Sequence, residues 1–174
     1  MSRFKPADRV QLISDIAKFY KHIIGVVLDR STDQRSVLVQ YPVRLADGTV
    51  GTFYDFQLQT PPLVRAHAVF DSSFSKEHAG VRGPSEDRHM CLAAAGIEIH
   101  LKITGRVQKS ISGQVRAGNT PLAAALVTPL VEDRPIDTVA TNTEGEFEIH
   151  EVPVGEIMFE TCVPGKRVVA WLHV

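Results

Sequence analysis

Few features of this 174-residue chain point to a familiar class of activity, and several are missing altogether. Lys and Arg number 19 against 20 Asp and Glu, a formal charge of -1. With so little excess of either sign, no global field draws the chain to a polyanion, and nucleic-acid binding is not expected. No apolar run approaches the roughly 20 residues that span a bilayer, so no membrane association is expected. The opening, Met1-Ser2-Arg3-Phe4-Lys5-Pro6, is polar where a secretory leader is apolar. Cysteine is scarce. Cys91 and Cys162 lie far apart in apolar, strand-like surroundings, the setting of reduced, buried thiols. These absences together lead to the expectation of a cytoplasmic protein.

The motifs of common enzymes are also missing. There is no Gly-x-Ser-x-Gly elbow, phosphate loop or dinucleotide fingerprint, so hydrolytic and nucleotide chemistry lack their usual scaffolds. The histidines, His22, His67, His78, His89, His100, His150 and His173, show neither His-Glu-x-x-His nor clustered Cys/His spacing. No metal, cofactor or catalytic residue is therefore assigned. By strand logic the nearest histidine pair is His100 with His150. Nothing in the sequence sets a base beside either cysteine, so cysteine catalysis is not expected.

What is present is pattern. From Pro6 to Leu28, apolar residues recur at helical spacing through Val10, Ile13, Ile16, Ala17, Tyr20, Ile23, Ile24 and Val27, which predicts an amphipathic helix. Two β-prone segments, Ser36 to Leu45 and Thr49 to Leu58, flank Ala46-Asp47-Gly48 and predict a hairpin. Pro42 inside the first argues for an edge strand or a bulge. The stretch from Asp71 to Arg88 is rich in Ser, Gly and charge and reads as an exposed connecting loop.

Beyond it the period becomes two. Ile97, Ile99, Leu101 and Ile103 alternate with Glu98, His100 and Lys102, and six more short strand-like pieces follow, separated by turn residues such as Asn142 to Gly145 and Pro153 to Gly155. The expected fold is mainly β. It is an antiparallel transthyretin- or immunoglobulin-like β-sandwich over residues 89–174, with an N-terminal helix and hairpin in 1–70 and a connecting loop over 71–88. Ile99, Leu101, Val115, Phe147, Ile149 and Trp171 are the expected core of the sandwich.

Two stretches carry a family resemblance. Ile111-Ser112-Gly113-Gln114-Val115 with Gly118-Asn119-Thr120-Pro121-Leu122, and Thr141-Asn142-Thr143-Glu144-Gly145-Glu146-Phe147-Glu148-Ile149 with Val152-Pro153-Val154-Gly155, resemble carboxypeptidase-regulatory-like domains, which are transthyretin-like sandwiches. The chain departs from that pattern at Ala124, where a glycine is usual, at Glu144, where an aspartate is usual, and at Ile157, where a tyrosine is usual. Upstream, Val69-Phe70-Asp71-Ser72, Ala79 to Gly83 and Arg88-His89-Met90 resemble small bacterial regulatory proteins associated with alternative sigma factors or caspase-like peptidases. The resemblance implies a non-catalytic regulatory or adaptor protein whose partner is such a protein. The alternative it leaves open is a cell-envelope module binding glycan or a surface protein.

Two enzyme families share transthyretin-like topology, and the chain departs from both. Hydroxyisourate hydrolases end in Tyr-Arg-Gly-Ser, whereas this chain ends Ala170-Trp171-Leu172-His173-Val174, and intradiol dioxygenases need a Tyr and His iron-ligand set that it lacks.

Overall fold

The computed structural model describes residues 3–13, 23–29, 38–74 and 87–174. The described chain is mainly β, its sheets antiparallel, and its contacts divide it into two compact units. Unit 1 is Met1–Leu63 with Cys162–Arg167, and unit 2 is Val64–Thr161 with Val168–Val174. Among the described residues no helix is long and apolar enough to cross a membrane.

Unit 1 holds a five-stranded sheet built from β1 (Arg9–Leu12), β2 (Ile24–Val27), β3 (Gln40–Leu45), β4 (Val50–Tyr54) and β5 (Leu58–Gln59), in the order β4-β3-β2-β1-β5. The helix expected from Pro6 to Leu28 is not found where that segment is described. Arg9–Leu12 and Ile24–Val27 are antiparallel strands, with Val10 opposite Gly25, while residues 14–22 lie outside the described residues. The physical reason is that each strand is four residues long. Over so short a piece Val10 and Leu12, or Ile24 and Val27, satisfy a helical stripe as readily as a strand, and tertiary pairing decides.

Phe4, Val10, Leu12, Val27, Tyr41, Val43, Leu45, Phe53 and Leu58 form the core of this unit. The rings of Phe4 and Tyr41 meet edge-on at 5.3 Å, and the Tyr41 hydroxyl accepts from the Arg3 and Phe4 N–H groups. Gln11, buried with them, accepts from the Gly165 N–H at 3.0 Å. Gly25 is required where it stands, since a Cβ there would lie 2.3 Å from the Val43 side chain.

The hairpin predicted at Asp47-Gly48 is formed by β3 and β4, with Arg44 opposite Val50, and Gly48 takes a positive φ of 86°. Pro42 overturns its own expectation, because β3 is internal and lies between β4 and β2. The sheet accommodates it at the last rung beside β2. There the Leu28 N–H donates to the Pro42 carbonyl at 2.9 Å, and the return bond that proline cannot make is all that is lost.

The remaining described strands form two six-stranded sheets, most of whose residues belong to unit 2. Their strands are β6 (Leu63–Arg65), β7 (His67–Asp71), β8 (Arg88–Ala94), β9 (Ile97–Thr104), β10 (Lys109–Ala117), β11 (Thr120–Pro121), β12 (Leu126–Val131), β13 (Arg134–Pro135), β14 (Val139–Ala140), β15 (Glu146–Val152), β16 (Glu156–Val163) and β17 (Lys166–His173). One sheet runs β11-β10-β9-β8-β7, with β15 also on β10. The other runs β13-β12-β16-β17-β6, with β14 also on β12. The Phe147 ring on β15 meets the Phe159 ring on β16 at 6.0 Å, joining the two sheets through apolar contact.

The contact division falls after Leu63, and β7 and β8 are neighbours in one sheet. Residues 71–88 therefore connect two adjacent strands of unit 2 rather than two halves of the chain; residues 75–86 of that segment lie outside the described residues. The period of two in β9 appears as alternating burial, with Ile97, Ile99, Leu101 and Ile103 inside. Val115, Phe147 and Ile149 are buried as expected. Trp171 is not. It is 52% exposed, facing away from its buried neighbours Ala170 and Leu172, with the Arg65 guanidinium 5.4 Å from its ring. An indole keeps its N–H wet this way while its face is covered by a cation.

Candidate functional site

Strand alternation that sends Met90, Leu92, Ile99, Leu101, Ile111 and Val115 inward leaves the intervening residues on the opposite face of the β7 to β10 and β15 sheet. Register sorts these residues into rows. Phe70, Cys91, His100, Gln114 and Glu146 are successive cross-strand partners, and His89, Lys102, Ser112 and Glu148 form the next row. Both rows border a groove of about 830 Å³.

Neighbouring side chains hold the groove in shape. Asn142, on the turn before β15, accepts through Oδ1 from the Glu144 and Glu146 N–H groups at 3.0 and 2.8 Å, and its Nδ2 donates to the Glu146 carboxylate. Gln114 Nε2 donates to the Glu144 carbonyl at 2.7 Å, tying the same turn to β10. Lys102 pairs with Asp87 at 2.9 Å. At the margin of the sheet, Asp71 and Arg88 form a paired clamp, and the Arg88 guanidinium holds the Asp71 carboxyl well below its ordinary value, at about 2.

Cys91 and His100 are the pair that carries chemistry. Sγ and Nε2 lie 4.0 Å apart, and the Glu98 carboxylate is 3.5 Å from the same Nε2. The structure thus sets a histidine beside Cys91, against the expectation that no base accompanies it. A catalytic triad needs more, with the thiol on one imidazole nitrogen and the orienting carboxylate on the other. Here both approach one nitrogen, which can serve only one of them at a time. Burial, and then the Glu98 charge, push the Cys91 thiol pKa up, opposite to an activated nucleophile.

His100 and His150 are not brought together. His100 lies opposite Gln114, whereas His150 stands beside Ser110 at 3.4 Å and Glu148 at 3.8 Å. His67 and His173 are exposed on β7 and β17, and His22 and His78 lie outside the described residues. Among the described residues, no three His, Cys, Asp or Glu side chains gather as a metal site. Cys162 is buried, and both cysteines are free thiols.

The Cys91 to His100 pairing has a signal in the sequence. Ala95-Gly96 is a two-residue turn in which Ala94 faces Ile97, and counting outward three residues on each strand brings Cys91 opposite His100.

Comparison with family models, with curated proteins and with solved structures gives no match.

Proposed function

We propose that this chain is a non-catalytic regulatory or adaptor protein that works in the cytoplasm through protein–protein contact, with unit 2 as a carboxypeptidase-regulatory-like, transthyretin-like β-sandwich that acts as its platform. The partner class implied by its upstream motifs is an alternative sigma factor or a caspase-like peptidase.

The observation that carries the interaction reading is in unit 1. Strand β4 has β3 on one side and, among the described residues, no strand on the other. Val50 on β4, Phe56 just after it, and Leu38 and Val39 just before β3 are 60, 53, 51 and 46% exposed, and Phe56 stacks on Tyr54 with the rings 5.5 Å apart. A strand edge offers unpaired main-chain groups to an extended segment, and exposed apolar side chains beside it supply the area that binding requires. The sandwich reading is supported by the two antiparallel sheets, by the Phe147 to Phe159 contact and by the backbone at Ala124. Its φ of +57° is a conformation glycine adopts freely, at a position where the resembled family has glycine. The non-catalytic reading is supported by the misdirected carboxylate and raised thiol pKa at Cys91.

The test is affinity purification of the full chain from its host, compared with a Val50→Lys, Phe56→Glu double variant that melts like the parent. A protein recovered with the parent and lost with the variant is the expected result. Recovery of the same proteins by both would overturn the assignment of the β4 edge.

A further inference from the structure

On the sheet face of unit 2, Cys91 and His100 are direct cross-strand partners held in a continuous ladder that runs from Arg88 opposite Ile103 to Ala94 opposite Ile97. Their Sγ and Nε2 atoms stand 4.0 Å apart. That is the outer limit of a hydrogen bond to sulfur. A cation midway between them would lie about 2 Å from each atom, close to the metal–nitrogen and metal–thiolate bond lengths of about 2.0–2.1 and 2.3 Å known for zinc. We propose that Cys91 and His100 form a two-ligand site for a soft monovalent metal ion of the copper(I) type.

Ligand chemistry selects this ion over harder ones. A thiolate and an imidazole are donors that suit copper(I), whereas zinc takes a four-ligand shell. Among the described residues no group of three or more His, Cys, Asp or Glu side chains is placed to hold a metal ion, so the pair has no such shell. The Glu98 carboxylate, 3.5 Å from the same imidazole nitrogen, adds negative charge beside a bound cation. Cys91 is half-buried at the border of the groove, so an ion can reach it, whereas Cys162 is fully buried. Binding forms one metal–sulfur and one metal–nitrogen bond and releases the thiol proton to water. No electron is transferred. The site is independent of the interaction surface at β4.

Anaerobic titration of the full chain with copper(I) against a competing chromophoric chelator tests the site. The parent and Cys162→Ser should bind one ion per chain, Cys91→Ser should lose it, and His100→Ala should bind at least tenfold more weakly. Affinity should rise by about tenfold per pH unit while the thiol remains protonated. Equal binding by His100→Ala and the parent would reduce the site to a solitary thiol and overturn the proposal, as would binding that survives Cys91→Ser. In the unaltered chain, silver(I) should shift the ring-nitrogen resonance of His100. A response confined to other histidines would refute the pairing even if a variant failed to fold.

Discussion

The Asp71 to Arg88 clamp makes the sharpest test of how unit 2 is held. Asp71 ends β7 and Arg88 begins β8. Arg88 Nε donates to Asp71 Oδ1 at 2.9 Å, and Nη2 donates to Oδ2. The Ser73 N–H and hydroxyl also donate to Oδ1, and Arg88 Nη1 reaches the His173 carbonyl. The Asp71 side chain is only 6% exposed. These donors, Arg88 foremost, lower its pKa from 3.8 to about 2 against the opposing effect of burial. At about 1.4 kcal/mol per unit, the shift corresponds to about 2 kcal/mol of stability. The sign follows from a folded pKa below the unfolded one. The contribution is complete above the unfolded value, declines as pH falls from 3.8 towards 2, and is absent below that. Asp71→Asn keeps the shape and removes the charge, so it should cost about 2 kcal/mol at pH 7. Urea unfolding followed by the single tryptophan, Trp171, reports on this unit. The gap between parent and variant should be constant from pH 7 to 5 and close as pH approaches 2. A gap of the same size at every pH would show that the carboxylate charge contributes nothing.

Three further outcomes are expected. Phe147→Ala removes a buried ring packed against Phe159 and should cost about 3 to 5 kcal/mol in the same urea assay; an unchanged midpoint would place the ring outside the core. Gly145→Ala and Ala124→Gly should move thermal stability in opposite directions. Gly145 has φ +72° and a Cβ there would lie 2.5 Å from the Val115 carbonyl oxygen, whereas Ala124 is already strained at φ +57°. The first should destabilise by more than about 1 kcal/mol and the second should stabilise by about 0.5 to 1 kcal/mol, and equal signs in calorimetry would refute the backbone reading. Thiol titration should find one group, Cys91, reacting slowly in the folded chain and two after unfolding, since Cys162 is buried and neither is in a disulfide; two rapid thiols would place Cys162 at the surface.

Legibility in the sequence followed element length and the number of independent signals. β9 was readable because eight residues alternate without exception and a two-residue turn precedes them. The β3–β4 hairpin was readable because Asp-Gly fixes a turn chemically: Asp47 Oδ1 accepts from both the Thr49 N–H and its hydroxyl, and Gly48 supplies the positive φ. β1 and β2 were not readable, because four-residue strands carry too few positions to separate a period of two from 3.6. In β1 the buried Arg9 and Gln11 also break the apolar code from within. Pro42 misled because a missing donor is excluded only from rungs that need it, and an internal strand has a free rung wherever its neighbour ends. Trp171 departs from the expected core because hydrophobic size does not fix depth, and an indole over an arginine is stable at a surface.

The site was written in the sequence at a different level from the motifs. His89, Cys91, Glu98 and His100 match no ligand spacing when read along one line, because a sheet gathers residues whose numbers sum to a constant across each hairpin. For the turn at Ala95-Gly96 that constant pairs Cys91 with His100 and His89 with Lys102. The next strand obeys its own sum, placing Gln114 beside His100, and β15 adds Glu146 beside Gln114. The upstream motifs behave in the same way. Asp71-Ser72 and Arg88-His89 have fifteen residues between them, yet Arg88 grips Asp71 while the His89 N–H donates to Ser72 Oγ at 2.9 Å. Two short pieces far apart in sequence therefore form one clamp between the β7 and β8 strands. The residues that give this chain its chemistry are those which register brings together, and predicting them requires the turn first and the motif second.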